Sequence, residues 1–98
     1  MAEPKPALWI SHVTVSDAAA YAEYASRAGA AIAAHGGEFV VRGGAHLTLE
    51  GVERPRHVVI RFPSMAAAEA CYHSPAYQEA LGFARDASDR QLVIVETV

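Results

Sequence analysis

The sequence has almost nothing with which to build cross-links, a charged surface or a membrane span. Cys71 is its only cysteine, so no disulfide can close within the chain, which fits a reducing compartment. Lys5 is its only lysine, the seven arginines are scattered, and the net charge is −3. That composition excludes the basic patch with which nucleic-acid binders displace counterions. No apolar run approaches the ~20 residues of a membrane span. The opening "MAEPKPALW" lacks the apolar centre of a secretory signal. The expected location is therefore cytoplasmic, with no nucleic-acid or membrane partner.

What is present suits a single folded domain. Of 98 residues, 52% are apolar and 19% charged, the balance of a globular chain. Residues 1–98 are expected to form one domain, with residues 1–7 as an extended arm set by Pro4 and Pro6. "LWISHVTV" (Leu8 to Val15) is rich in β-branched and aromatic residues and predicts a strand. In "SDAAAYAEYASRAGAAIAAHGG", Ser16 or Asp17 can cap a helix and Gly36–Gly37 can end it. Tyr21, Tyr24, Ala25, Ala28 and Ile32 fall at helical spacing between those ends. "EFVVR" predicts a second strand ending on Arg42, and "GGAHLTLEGVERPR" a polar connector with a short extended piece at "HLTLE".

"HVVIRFP" predicts a third strand, and Ser64 caps the helix "MAAAEACYH". Ser74–Pro75 starts another helix through "AYQEALGFARDAS", and "QLVIVETV" is a final strand. Strand, helix, strand, strand, helix, strand is the order of an α+β ferredoxin-like domain. It predicts a four-stranded antiparallel sheet with both helical segments on one face.

Such a sheet leaves a second face open. Alternation sends Val58, Ile60 and Phe62 toward the helices, with Phe39, Val41, Val13 and Val15. It leaves Ile10, His12, Thr14, Glu38, Val40, Arg42, His57, Val59 and Arg61 on the open face. In the last strand both alternate sets, Leu92/Ile94 and Val93/Val95, are apolar, so alternation does not choose between them. A face that mixes valine with arginine and histidine suits two sheets meeting around a partly polar cavity. A homodimer through the open sheet faces is expected, with Val40 and Val59 in contact.

"HGGEFVVRGG", the later "LEG", "RPRHVVIRFPS", "YHSPAYQ" and "LVIVE" together resemble the domain of unknown function 1330 family, from Leu8 to Glu96. The chain departs from that family's pattern at Arg61, His73, Ala76 and the ending "ETV". The resemblance implies a dimeric α/β barrel. That wider group includes cofactor-independent monooxygenases, muconolactone isomerase-like enzymes and haem-degrading enzymes. It also implies that Ser74, Tyr72 and Tyr77 lie at the rim of a cavity.

The candidate chemistry centres on His12 and Arg42, which alternation places in one cavity. Arg42 is suited to clamping an anion or carbonyl, and His12 to acid–base work. Arg42 can equally pair with Glu50, Glu38 or an acid of a second copy. Arg61 is a further candidate for ligand binding. His35, His46 and His57 are spaced eleven apart, which matches no zinc pattern, and no metal or cofactor is expected. Cys71 lies in an alanine-rich helix and is expected to be buried. Two functions remain open. One is a small cofactor-independent enzyme acting on a carbonyl or carboxylate compound in the barrel cavity. The other is a non-catalytic homodimeric module that binds a small ligand.

Overall fold

From Ala7 to Val13 the first strand alternates residue by residue between buried and half-buried. That pattern is the signature of a sheet with one face covered. The structure is a computed structural model and describes residues 4–98. The elements are β1 (Ala7–Val15), α1 (Ala18–Ala34), β2 (Glu38–Arg42), β3 (Arg56–Phe62), α2 (Met65–His73), α3 (Pro75–Arg85) and β4 (Ser88–Glu96). The sheet order is β2-β3-β1-β4 and every neighbouring pair is antiparallel. This is the ferredoxin-like βαββαβ arrangement, its second helical segment broken in two. The expected arm, residues 1–7, falls partly outside the described residues, and Ala7 already belongs to β1. "HLTLE" joins no strand. No described helix is long and apolar enough to cross a membrane.

The helix ends form where the side chains allow. Asp17 caps α1 by accepting from the Ala20 amide at 3.1 Å. At the other end the Gly36 amide donates to Ala33 O and the Gly37 amide to Ile32 O. This paired closure requires a left-handed residue, and Gly36 supplies it with φ +80°. Ser64 caps α2 and Ser74 caps α3, with Pro75 in the first turn. Between them, α1 and α3 pack through small residues, so Ala28, Ala31, Ala80 and Ala84 are all buried. The aromatic centre of the core is Trp9. It stacks on Phe62 at 5.5 Å and meets the edge of Tyr77 at 5.1 Å.

The register resolves what alternation left open and overturns two assignments, those of Val41 and Arg42. Ile94 pairs with Trp9 and Leu92 with Ser11, so that set of β4 turns inward. Val93 and Val95 stay outside, each more than 40% exposed. In β2 the pairing slips between Phe39 and Val41: Phe39 meets Ile60, but Val41 meets Val59 and Arg42 meets Val58. Val40 is the extra residue of a β-bulge, and one extra residue reverses the facing of everything after it. Val41 therefore joins the open face, and Arg42 points to the helix side, not to the open face as strict alternation predicts.

Candidate functional site

Strand register gathers three arginines on the helix side of the sheet. Arg56 of β3 and Arg90 of β4 both pair with Val13 of β1, so they flank it in one row. In the next row Arg42, Val58, Ser11 and Leu92 lie side by side. Helix α1 covers these rows with Tyr21, Tyr24, Ala25, Ala28 and Ile32. The enclosed space is small, about 30 Å³, and has Trp9, Ser11, Phe39, Val58 and Ile60 in its sheet wall. All three arginines line it and no acidic side chain does.

Each arginine is held by neutral groups. The Arg42 guanidinium lies 4.1 Å over the Phe39 ring. Arg56 faces the Tyr21 ring at 5.9 Å. It occupies the space a side chain at position 43 would fill, and Gly43, with φ +71°, leaves that space free. The glycine after Arg42 thus serves Arg56. Arg90 stacks 4.6 Å over Tyr24 and donates through Nη2 to the Tyr24 hydroxyl at 2.9 Å and the Tyr77 hydroxyl at 3.2 Å.

The two phenols are hydrogen-bonded to each other at 2.8 Å. One phenol proton fills that bond and the other is free. Tyr77 is wholly buried, whereas Tyr24 lines the cavity. The arrangement that strands no buried donor has Tyr77 donating to Tyr24 and Tyr24 presenting its own proton to the cavity. Burial, and then the neighbouring Tyr77, push the Tyr24 phenol well above its usual range, so it stays protonated. Burial raises Tyr77 as well.

Several polar atoms here lack a partner. Ser11 is 2% exposed and its hydroxyl has none. The Nε atoms of Arg56 and Arg90 are buried and unpaired. Each stranded group costs about 1–3 kcal/mol, which a ligand oxygen would relieve.

Of the residues picked out from the sequence, Arg42 lines this cavity and His12, Glu50, Arg61, Ser74 and Tyr77 do not. His12 is on the opposite face of the sheet from Arg42, because its register partner is His57 and both belong to the open set. Their Nδ1 atoms are 2.7 Å apart and share one proton. His46 meets His57 edge-on at 4.4 Å and binds Glu53 at 2.8 Å. Hydrogen bonds from Thr48 and His46 hold the Glu53 carboxyl below its ordinary range. Glu50 lines this open depression with His12 and is not an ion-pair partner of Arg42. The bulge at Val40 separates the two by turning Arg42 to the other face.

Arg61 is exposed at the far end of β3, beside Glu38 and Pro63. The Ser74 hydroxyl donates to Cys71 O at 2.7 Å and accepts from the Tyr77 amide at 3.2 Å, so it is engaged in the helix break and lies outside the cavity lining. Tyr77 reaches the cavity only through Tyr24 and Arg90. Among the described residues no three His, Cys, Asp or Glu side chains are arranged to hold a metal ion. Cys71 is fully buried, and burial pushes its thiol up to about 11. Sequence reasoning missed Arg56, Arg90, Tyr24 and Ser11 as site residues. The available signal was Ser11, a polar residue on the face that carries Trp9 and Val13.

The geometry can be set beside known proteins. The chain belongs to the DUF1330 family, a domain of unknown function, which it matches over residues 6–98. No curated protein matches it. A solved protein of unknown function from Rhodopseudomonas palustris is 25% identical, with TM-score 0.78 over 96% of this chain and 83% of that one. SnoaB, a cofactor-independent oxygenase from Streptomyces nogalater, is 16% identical, with TM-score 0.65 over 96% of this chain and 94% of that one. A dimeric ferredoxin-like protein of unknown function from Thermobifida fusca is 16% identical, with TM-score 0.58 over 99% of this chain and 100% of that one. At 16% identity these last two likenesses speak for the fold alone.

Proposed function

We propose that this DUF1330 chain takes a small carbonyl or carboxylate compound into the cavity between sheet and α1 and acts on it without a cofactor. One observation carries the reading: three arginines, Arg42 at the exposed rim, and an unpartnered serine hydroxyl line a cavity with no acidic side chain. A cavity so charged favours an anion, and guanidiniums take a planar carboxylate in bidentate fashion. The Tyr24–Tyr77–Arg90 cluster supplies a proton and a fixed positive charge where a carbonyl oxygen would develop negative charge. SnoaB is a cofactor-independent oxygenase on a similar fold, which is compatible with such chemistry.

Trp9 is the only tryptophan and lines the cavity, so its fluorescence reports occupancy. Small carboxylates and keto acids should shift it saturably and change chemically on incubation. If none shifts it, the cavity is not the ligand site. A non-catalytic binding module is favoured by one fact: no histidine or carboxylate lines the cavity to serve as a base. Saturable binding with no turnover of any bound acid would select that reading.

The second part of the proposal is a homodimer through the open faces. Ile10 and Val59 are half-buried there and Val93 and Val95 exposed, an apolar set that a second copy would cover. The dimeric neighbour from Thermobifida fusca supports it. Light scattering should give twice the chain mass, and Val59→Glu should split the dimer, since an unpaired charge in an interface costs several kcal/mol. A monomeric wild type at micromolar concentration would refute it.

A further inference from the structure

The connector between β2 and β3, residues 43–55, is turned inside out for a segment in water. Its polar side chains hold it to the sheet. Arg54 donates through Nε to the Thr14 hydroxyl at 3.0 Å and through Nη2 to Asp89 O at 2.6 Å. His46 lies against His57 and binds Glu53. Its large apolar side chains stand in solvent: Leu47, Leu49 and Val52 are each at least 80% exposed. Three such side chains on one anchored segment make an apolar patch, and a patch of that kind marks a surface that meets another molecule.

The open face of the sheet is laid out in rows. Register places Val41, Val59, Ile10 and Val93 in one row across all four strands. Two residues along the strands, about 7 Å away, a second row holds Glu38, Arg61, Leu8 and Val95. On the other side of the apolar row lie His57, His12 and Gln91, where the connector walls a depression. The face therefore has an apolar middle, a bare end at Arg61, Leu8 and Val95, and an occupied end at the connector. Arg61 at the bare end and Glu50 on the connector belong to none of the ion pairs among the described residues.

Given the homodimer proposed above, on which this rests, we infer that the connector of each copy clasps the bare end of the other. A twofold axis along the apolar row sets that row on itself and exchanges the two ends. An axis along the strands would bring the two connectors together instead. Packed sheets lie about 10 Å apart, a gap that one chain segment with its side chains fills and two do not. Only the exchange of ends therefore lets the apolar rows touch. Leu47, Leu49 and Val52 then cover Leu8 and Val95 of the partner subunit, and Glu50 meets the partner's Arg61 with opposite charge. Symmetry makes each of these contacts twice.

Sedimentation equilibrium of the purified chain tests this. Wild type should be dimeric at micromolar concentration. Leu47→Ser, Leu49→Ser and Val52→Ser combined should raise the dimer dissociation constant at least about tenfold. Far-UV circular dichroism should not change, because all three side chains are exposed within one chain. Glu50→Arg and Arg61→Glu should each weaken the dimer about tenfold, since each turns two attractions into two repulsions. The double variant Glu50→Arg, Arg61→Glu should recover that loss. A dimer as tight with all three apolar side chains replaced would overturn the clasp and leave the homodimer standing. A double variant no tighter than either single one would overturn the exchange of ends. A monomeric wild type would overturn the clasp and the homodimer together.

Discussion

The two faces of the sheet carry polar clusters of opposite logic. On the open face His12 and His57 share a proton and His46 pairs with the Glu53 carboxylate, while His57 Nε2 is left without a partner. On the helix side three arginines stand without an acid, above a serine with no partner. The open cluster leaves that one buried nitrogen unpaired. The enclosed one leaves three atoms, Ser11 Oγ, Arg56 Nε and Arg90 Nε, and stranded donors are more costly where water is excluded. A domain of this size has little stability to spare, so an uncompensated set of buried donors points to a partner that comes and goes. That difference is why the cavity, and not the histidine cluster, is proposed as the site.

The contrast can be strained hardest at the floor of the covered side. Phe62→Ala removes a side chain with 0% exposure and should cost about 3–5 kcal/mol by urea unfolding, whereas Arg61→Ala, its neighbour on the open face, should stay within about 0.5 kcal/mol. Comparable losses would mean that the open face is packed as tightly as the covered one.

Tyr77→Phe probes the incomplete cluster directly. It removes the hydroxyl that bonds Tyr24 and Arg90, and should cost about 1–3 kcal/mol. It should also free Tyr24 to turn its proton away from the cavity, lowering affinity for a small keto acid. An unchanged affinity would separate Tyr77 from the site.

Alkaline pH should act on the covered side alone. Tyr24, Tyr77 and Cys71 all have raised folded-state values, so above their ordinary ranges the unfolded chain loses protons that the folded chain keeps. The folded state then binds more protons, and stability falls as pH rises. The decline should begin near pH 9.0, the ordinary thiol value, and Cys71→Ala should remove its first part up to about 11. Denaturant melts from pH 8 upward that show no decline before about pH 10, the ordinary phenol range, would remove Cys71 from the account.

The smallest effect is expected from His57→Gln. It breaks the shared proton with His12 but touches nothing in the cavity. Stability should change by less than about 1 kcal/mol, and affinity for small carboxylates should not change. A loss of affinity would show that the two faces are coupled through β1 and β3.

The sequence by itself determined the elements and most of their facing. Residue types marked the strands and helical spacing marked the first helix, because a half-buried strand and a one-sided helix repeat at different intervals. Ser16 or Asp17, Ser64 and Ser74 marked helix starts, because the oxygen of a short side chain can reach the free amides of a first turn. The doubled glycine at 36 and 37 marked a stop for the same local reason. Tertiary structure decided the rest. Which face of β4 turns inward was set by its pairing with β1, since both of its alternate sets are apolar. The side taken by Arg42 was set by the bulge at Val40, which exists only relative to β3. Alternation counts residues, and it cannot know that one of them has no partner across the ladder. The cavity joins Ser11, Tyr24, Arg42, Arg56 and Arg90 from five separate elements. No local pattern connects residues that far apart; only the register of the strands and the docking of α1 bring them together.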